Sequence, residues 1–315
     1  MIEMSELKTA VSPSYTHSPQ KQSILDRLGR WLTWKKFIFL MVMLTFLSMI
    51  IFPFYWMISS SFKTRAEIGG RTPVYVPSAL RLDAYQELFD PSHPSFQDFG
   101  RTIINSATIA IPTALIAVVL STLGAYAIAR LHFKGKNVML NSILLIYLFP
   151  GVLLIIPLFA MLARLGTMFG FDVQDNLAIL IFTYLAQTLP VALYMLTNYF
   201  RTIPSEIEQA GLIDGCDRLG VIWRITLPLA VPALISVAIY TFMIAWNEFL
   251  YAFVFLNDSN MFTMPIAINT LYNDPSPRPN VVMAASTVMT LPVMILFLGM
   301  ERFLAEGLSA GGVKG

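Results

Sequence analysis

A chain of 315 residues that is 56% hydrophobic but only 13% charged falls well below the roughly 25% charge of soluble globular domains. A formal net charge of +2 with no basic domain excludes a module built to hold a phosphate backbone, so no nucleic-acid partner is expected. Cys216 is the single cysteine, which excludes an intramolecular disulfide.

Residues 1–22 are rich in Ser, Pro, His and Gln and read as disordered. The stretch SILDRLGRWLTWKK follows, with Ile24, Leu25, Leu28, Trp31 and Leu32 at helical spacing and Arg27, Arg30, Lys35 and Lys36 on the polar side. That pattern predicts a basic amphipathic helix lying on membrane lipid, closing a first segment at 1–36. Six uncharged apolar runs come next: Phe37–Ile58, Thr102–Ala129, Asn137–Ala163, Asn176–Phe200, Ile225–Asn247 and Asn280–Met300. Each reaches the roughly 20 residues needed to cross about 30 Å of hydrocarbon. The expected fold is therefore an all-α membrane protein with six transmembrane helices. The first run lacks the small-residue cleavage pattern of a signal peptide and is read as a retained span.

Between the runs, residues 37–101 combine the first span with the longest loop. There PVYVPSALRLDAYQELF suggests an extended piece and then a short helix. Residues 102–300 carry the other five spans and a polar loop at 201–226, and 301–315 form a tail. Further loops run from about 164 to 175 and from 257 to 279. Proline punctuates every span, at Pro53, Pro112, Pro150, Pro157, Pro190, Pro232 and Pro292. Such bends fit a bundle that encloses a cavity and changes shape, and equally the ordinary abundance of proline in membrane helices. If the N-terminus is cytoplasmic, the inner segments hold 14 Lys and Arg and the outer loops 7. The positive-inside rule then places both termini, and the polar loop between spans four and five, in the cytoplasm.

Catalytic patterns are missing. His17, His93 and His132 are scattered outside the apolar runs, and there is no HExxH, CxxC or GxSxG. Nothing points to a catalytic residue, a metal ligand or a bound cofactor. No Walker A loop exists either, because Gly135-Lys136 is followed by Asn137 and Lys314 by Gly315. Glu248, just past the fifth run, is the one acid near membrane depth, and it reads as a loop anchor rather than a proton relay.

The polar loop SEIEQAGLIDGCDRLGVIWRITLP, residues 205–228, reads as helix, hinge, helix. Ser205 and Glu208 have the spacing of a capping box, and Glu206 and Glu208 suit the positive end of a helix dipole. Ala210 and Gly211 are small enough to let another surface approach. Asp214-Gly215 signals a turn, and Asp217 is placed to cap a second short helix.

These residues resemble the permease subunits of ABC importers, marked by Glu-Ala-Ala, three residues, Gly, nine residues, then Ile-x-Leu-Pro. Here the pattern stands as Gln209-Ala210-Gly211, Gly215, and Ile225-Thr226-Leu227-Pro228, with Asp214 before the glycine. Gln209 and Gly211 depart from the motif's glutamate and second alanine. FPFYWMISSSFK, INSATIA, AYAIARLHFKGK, AWNEFLYAFVFL and the terminal ERFLAEGLSAGGVKG extend the likeness from about residue 40 to the end. They resemble the smaller six-span permease of maltose-type systems, with the type I ABC importer fold.

The resemblance implies a translocation subunit for a sugar, oligosaccharide or similar solute. It would work with a second homologous permease, two ATPase subunits that use ATP and Mg, and an extracytoplasmic solute-binding protein. Its loop would dock in the ATPase, and Gly311, Gly312, Val313, Lys314 and Gly315 would form an ATPase-contacting tail. Trp246, Asn247 and Glu248 are candidates for the solute pathway, because aromatic faces and amides suit sugar hydroxyls. An interfacial Trp and a capping Asn are equally ordinary readings. An ion-coupled carrier and a non-translocating scaffold remain the alternatives.

Overall fold

The computed structural model describes residues 34–90, 98–148 and 150–312, and all regular structure among them is helical. The chain divides into two compact units, 1–55 and 56–315. In the first unit the described residues form the apolar start of α1 (Trp34–Ser61), with Pro53 inside the helix. The amphipathic helix expected around residues 24–36 lies almost wholly outside the described residues.

Six described helices are long and apolar enough to span a membrane: Lys36–Ser61, Phe99–Arg130, Gly151–Phe169, Leu177–Thr202, Arg218–Asn247 and Pro279–Glu301. This matches the six runs in number and order. The third differs in placement. The run 137–163 divides into α5 (Lys136–Tyr147) and α6 (Gly151–Phe169). Pro150 at the head of α6 has no N–H to give and disfavours helix in the residue before it, so the run breaks there. The span then continues past the predicted end at Ala163, carrying Arg164 inside α6.

In the second unit, α2 (Arg65–Gly69) and α3 (Asp83–Leu88) precede α4 (Phe99–Arg130). The short helix expected in PVYVPSALRLDAYQELF is α3. α4 opens on Asp98, whose carboxylate accepts from the Arg101 N–H at 3.1 Å. α4 packs on α7 (Leu177–Thr202) and on α10 (Leu227–Asn247). Small residues make this close approach possible: Ala110, Ala114, Ala117, Ser121 and Ala125 recur every three or four residues along α4 and are all buried. Ala192 answers them from α7, and Ala230 and Ala233 from α10. Between membrane helices, such packing replaces the exclusion of water as the main attraction. Hydroxyls inside these helices donate back to their own backbone, as Thr113 does to the Ile109 carbonyl at 2.7 Å and Thr188 to that of Tyr184 at 2.8 Å.

The two ends of this bundle are pinned differently. At one end, the Asn105 amide donates to the carbonyls of Asn260 and Phe262 at 2.8 and 3.0 Å. Ser106 accepts from the Met264 N–H at 2.9 Å. There the expected loop 257–279 is partly helical: α12 (Met264–Tyr272) begins with proline in its first turn and buries Met264, Ile266, Ala267 and Leu271. Short α11 (Leu250–Phe255) precedes it, and α13 (Pro279–Gly312) completes the described chain. At the other end, the C-termini of α4 and α7 meet the N-terminal approach to α10, where the polar loop sits.

Candidate functional site

The loop folds as α8 (Ser205–Ile213), a turn, α9 (Arg218–Val221), a π-helical turn over Ile222–Thr226, and then α10. Helix, hinge, helix is therefore the arrangement observed. Gly215, with φ of 90°, supplies the left-handed residue that ends α8. Asp217 caps α9 as expected, accepting from the Gly220 N–H at 2.8 Å. The wide turn has a cause in Pro228, which has no N–H for the Arg224 carbonyl and whose ring would crowd it. A longer ring forms instead, in which the Leu227 N–H reaches the Ile222 carbonyl.

Two details correct the sequence reading. The Ser205–Glu208 capping box is not formed: α8 starts on Pro204, with no side-chain cap. Glu208 turns inward instead and is 7% exposed. Its Oε1 accepts from Arg130 Nε at 3.0 Å and from Thr226 Oγ1 at 3.1 Å, and its Oε2 from the Tyr126 hydroxyl at 3.5 Å. Arg130 in turn donates through Nη2 to the Ile203 carbonyl at 2.7 Å. An acid that can pair with a half-buried guanidinium gains charge-assisted hydrogen bonds, stronger than the one a helix N-terminus offers.

The second correction concerns Gly211, which is buried against its own chain. A Cβ there would collide with Ile225 Cδ1. Its smallness admits Ile225, not an outside surface. Of the residues expected to dock, Glu206, Gln209, Ala210, Asp214 and Gly215 face outward on α8 and its turn, with the apolar Ile207, Leu212 and Ile213 exposed beside them. Leu227 and Ile225 are half-buried and Pro228 is exposed. Since Glu208 is neutralised internally and Arg218 and Arg224 are exposed, the outward face is mixed in charge rather than acidic. A cavity of about 330 Å³ lies beside it, lined by Tyr126, Arg130, His132, Gln209 and Arg218 among others.

Arg130, Tyr126 and Thr226 were not singled out by their chemistry in the sequence. Arg130 enters the sequence reading only through topology and the stretch AYAIARLHFKGK, although a cation ending an apolar helix is itself a signal. Thr226 was visible only as the variable position in Ile-x-Leu-Pro.

The solute-pathway candidates lie at the opposite end. Trp246 is 3% exposed, stacks on Phe242 at 5.3 Å between centroids, and donates Nε1 to the Met289 carbonyl at 3.0 Å. Glu248 accepts from the Tyr184 hydroxyl at 2.7 Å and from the N–H groups of Tyr251 and Ala252 at 2.9 and 3.1 Å. It thus anchors the start of α11, the role expected of it. Asn247 is exposed and donates to the Met243 carbonyl at 2.8 Å. In the tail, Gly311 and Gly312 end α13, while Val313, Lys314 and Gly315 lie outside the described residues. Among the described residues, no three His, Cys, Asp or Glu side chains gather where they could hold a metal.

Residues 117–309 match the family described as binding-protein-dependent transport system inner membrane component. The inner membrane ABC transporter permease protein YcjP of Escherichia coli is 43% identical over 270 residues, covering 86% of this chain and 93% of that one. The trehalose/maltose transport system permease protein MalG of Thermococcus litoralis is 35% identical over 266 residues, covering 84% and 92%. A solved bacterial ABC transporter involved in import of the acidic polysaccharide alginate has the same fold, with a TM-score of 0.72 at 19% identity, over 90% of this chain and 99% of that one.

Proposed function

This chain belongs to the family of binding-protein-dependent transport system inner membrane components, and on that premise we propose that it imports a sugar, oligosaccharide or related solute at the expense of ATP hydrolysed elsewhere. As a member of the family it is a membrane-embedded permease subunit of an ABC importer, which displaces the readings as ion-coupled carrier or scaffold. The sugar class is supported by the solutes named for its relatives, trehalose and maltose among them.

The full complement is a second, homologous permease, two ATPase subunits using ATP and Mg, and an extracytoplasmic solute-binding protein. The loop 205–228 and both termini face the cytoplasm, a placement supported by the excess of Lys and Arg in those segments. α8 and α9 dock on the ATPase through Glu206, Gln209, Ala210 and Asp214, and the glycine-rich tail at 311–315 adds a second contact. Among Trp246, Asn247 and Glu248, only Asn247 is exposed, and it is the one offered to solute even though its amide also donates to the Met243 carbonyl.

One observation carries the reading: an exposed helix–turn–helix, continuous with two spans and hydrogen-bonded to a third, in a chain lacking a nucleotide-binding loop. The mechanism is alternating access. ATP draws the two ATPase subunits together, the docked loops move with them, and the bundle reorients its cavity. Deleting 206–217 is expected to leave a membrane-inserted chain that no longer co-purifies with ATPase. Retention of a full complement of ATPase together with normal uptake would overturn the reading.

A further inference from the structure

The inward face of α8 is held by groups from all three neighbouring spans. Arg130 and Tyr126 close α4, the Ile203 carbonyl follows α7, and Thr226 leads into α10. We propose that Glu208 is a positioning residue, locking the loop to α4, α7 and α10 so that a displacement of α8 reaches all three helices without slack. This rests on reading the loop 205–228 as the ATPase-driven element.

Three observations support it. First, the pair is shielded from water: the Glu208 and Arg130 side chains are 9% and 14% exposed. A hydrogen-bonded network in such surroundings is stiffer than the same network in water. Second, stability alone does not call for an ion pair here. A well-packed apolar pair of similar volume usually holds a fold as well or better, whereas the ionic one fixes a direction and a register. Third, Arg130 uses two different nitrogens on two different elements, Nε on Glu208 and Nη2 on the Ile203 carbonyl. Only a guanidinium fork spans both, and a lysine ammonium carries the same charge without that geometry. Beyond the knot, the loop leans on its own second half through Gly211 and Ile225, a contact that does not reach α4 or α7.

The test uses the assembled importer in lipid nanodiscs with Cys216→Ser as background. Spin labels at Ile213→Cys, the exposed tip of α8, and Leu123→Cys, on the exposed side of α4, report the distance between loop and bundle. A separate cysteine at Ser236→Cys in α10 reports, by its labelling rate, the change that ATP and vanadate bring about. Neither readout requires the solute to be known.

In E208Q and R130K the width of the distance distribution is expected at least to double. The nucleotide-dependent change at position 236 should fall at least fivefold while ATPase remains bound. T226V should lie between these variants and the unmodified chain. The double variant E208M/R130M should assemble normally and still be slack. The proposal is overturned if E208Q and R130K leave both readouts within twofold of the unmodified chain, or if E208M/R130M restores both, since the knot would then be structural only. Should E208Q not assemble, R130K, which keeps the charge, decides. Failure of the underlying reading is distinct: ATPase would stay bound when 206–217 is deleted.

Discussion

Two four-residue stretches of this chain share a spacing and end differently. Thr64-Arg65-Ala66-Glu67 opens α2 with a reciprocal cap: the Thr64 N–H reaches Glu67 Oε2 at 2.8 Å, and the Glu67 N–H reaches Thr64 Oγ1 at 3.3 Å. Ser205-Glu206-Ile207-Glu208 opens α8 and forms no such cap. The local chemistry is nearly the same, so the difference comes from what lies nearby. Glu67 is drawn to hydroxyl and amide donors of Thr64 and Ser78, whereas Glu208 has a half-buried guanidinium within reach. A capping pattern is thus a competition, and a strong tertiary partner wins it.

That contrast can be broken most forcefully at Arg130. Arg130→Ala strands the Glu208 carboxylate in a buried site and should cost about 3–5 kcal/mol, read as lost resistance to denaturation in detergent. Thr226→Val keeps shape but removes one hydrogen bond to a charged acceptor, an expected loss of about 2 kcal/mol by the same measurement.

Acid sharpens the comparison from the other side. The Ser78 hydroxyl, then the backbone N–H groups of Thr64 and Ser78, lower the Glu67 pKa to about 2 from an ordinary 4.5. A depressed folded-state pKa means that the cap's contribution is complete above about 4.5 and is lost as the pH falls towards 2. A carboxylate titration by NMR should therefore place Glu67 near 2, and Ser78→Ala should move it upward. Smallest of all is Ser205→Ala, which removes a side chain that caps nothing and should change stability by less than about 0.5 kcal/mol. A loss near 1 kcal/mol, the usual value of a cap, would show that the box forms after all.

Much of the architecture is legible in the sequence because bilayer thickness sets a length that apolar runs must meet, and all six do. The third run misplaced its helix because apolarity alone does not reveal where Pro150 interrupts it. α12 escaped notice although Pro265 in its first turn and the spacing Met264, Ala267, Leu271 announce a helix; its surroundings are too polar for a span search to find it. In the loop, turn and cap chemistry at Gly215 and Asp217 is local and could be read directly. The inward course of Glu208 could not, because its partner lies 78 residues earlier in the chain. Trp246 shows the same limit: nothing near it in sequence reveals the Met289 carbonyl that takes its N–H.

The wide turn at Ile222–Thr226 also acts as a length standard. Removing one residue there would turn everything before it by about 100° and draw it in by ~1.5 Å, carrying the Thr226 hydroxyl away from Glu208. The nine residues from Cys216 to Arg224 between Gly215 and Ile225 therefore behave like the teeth of a gear. Their number sets which face of the loop meets the bundle and which meets whatever drives it.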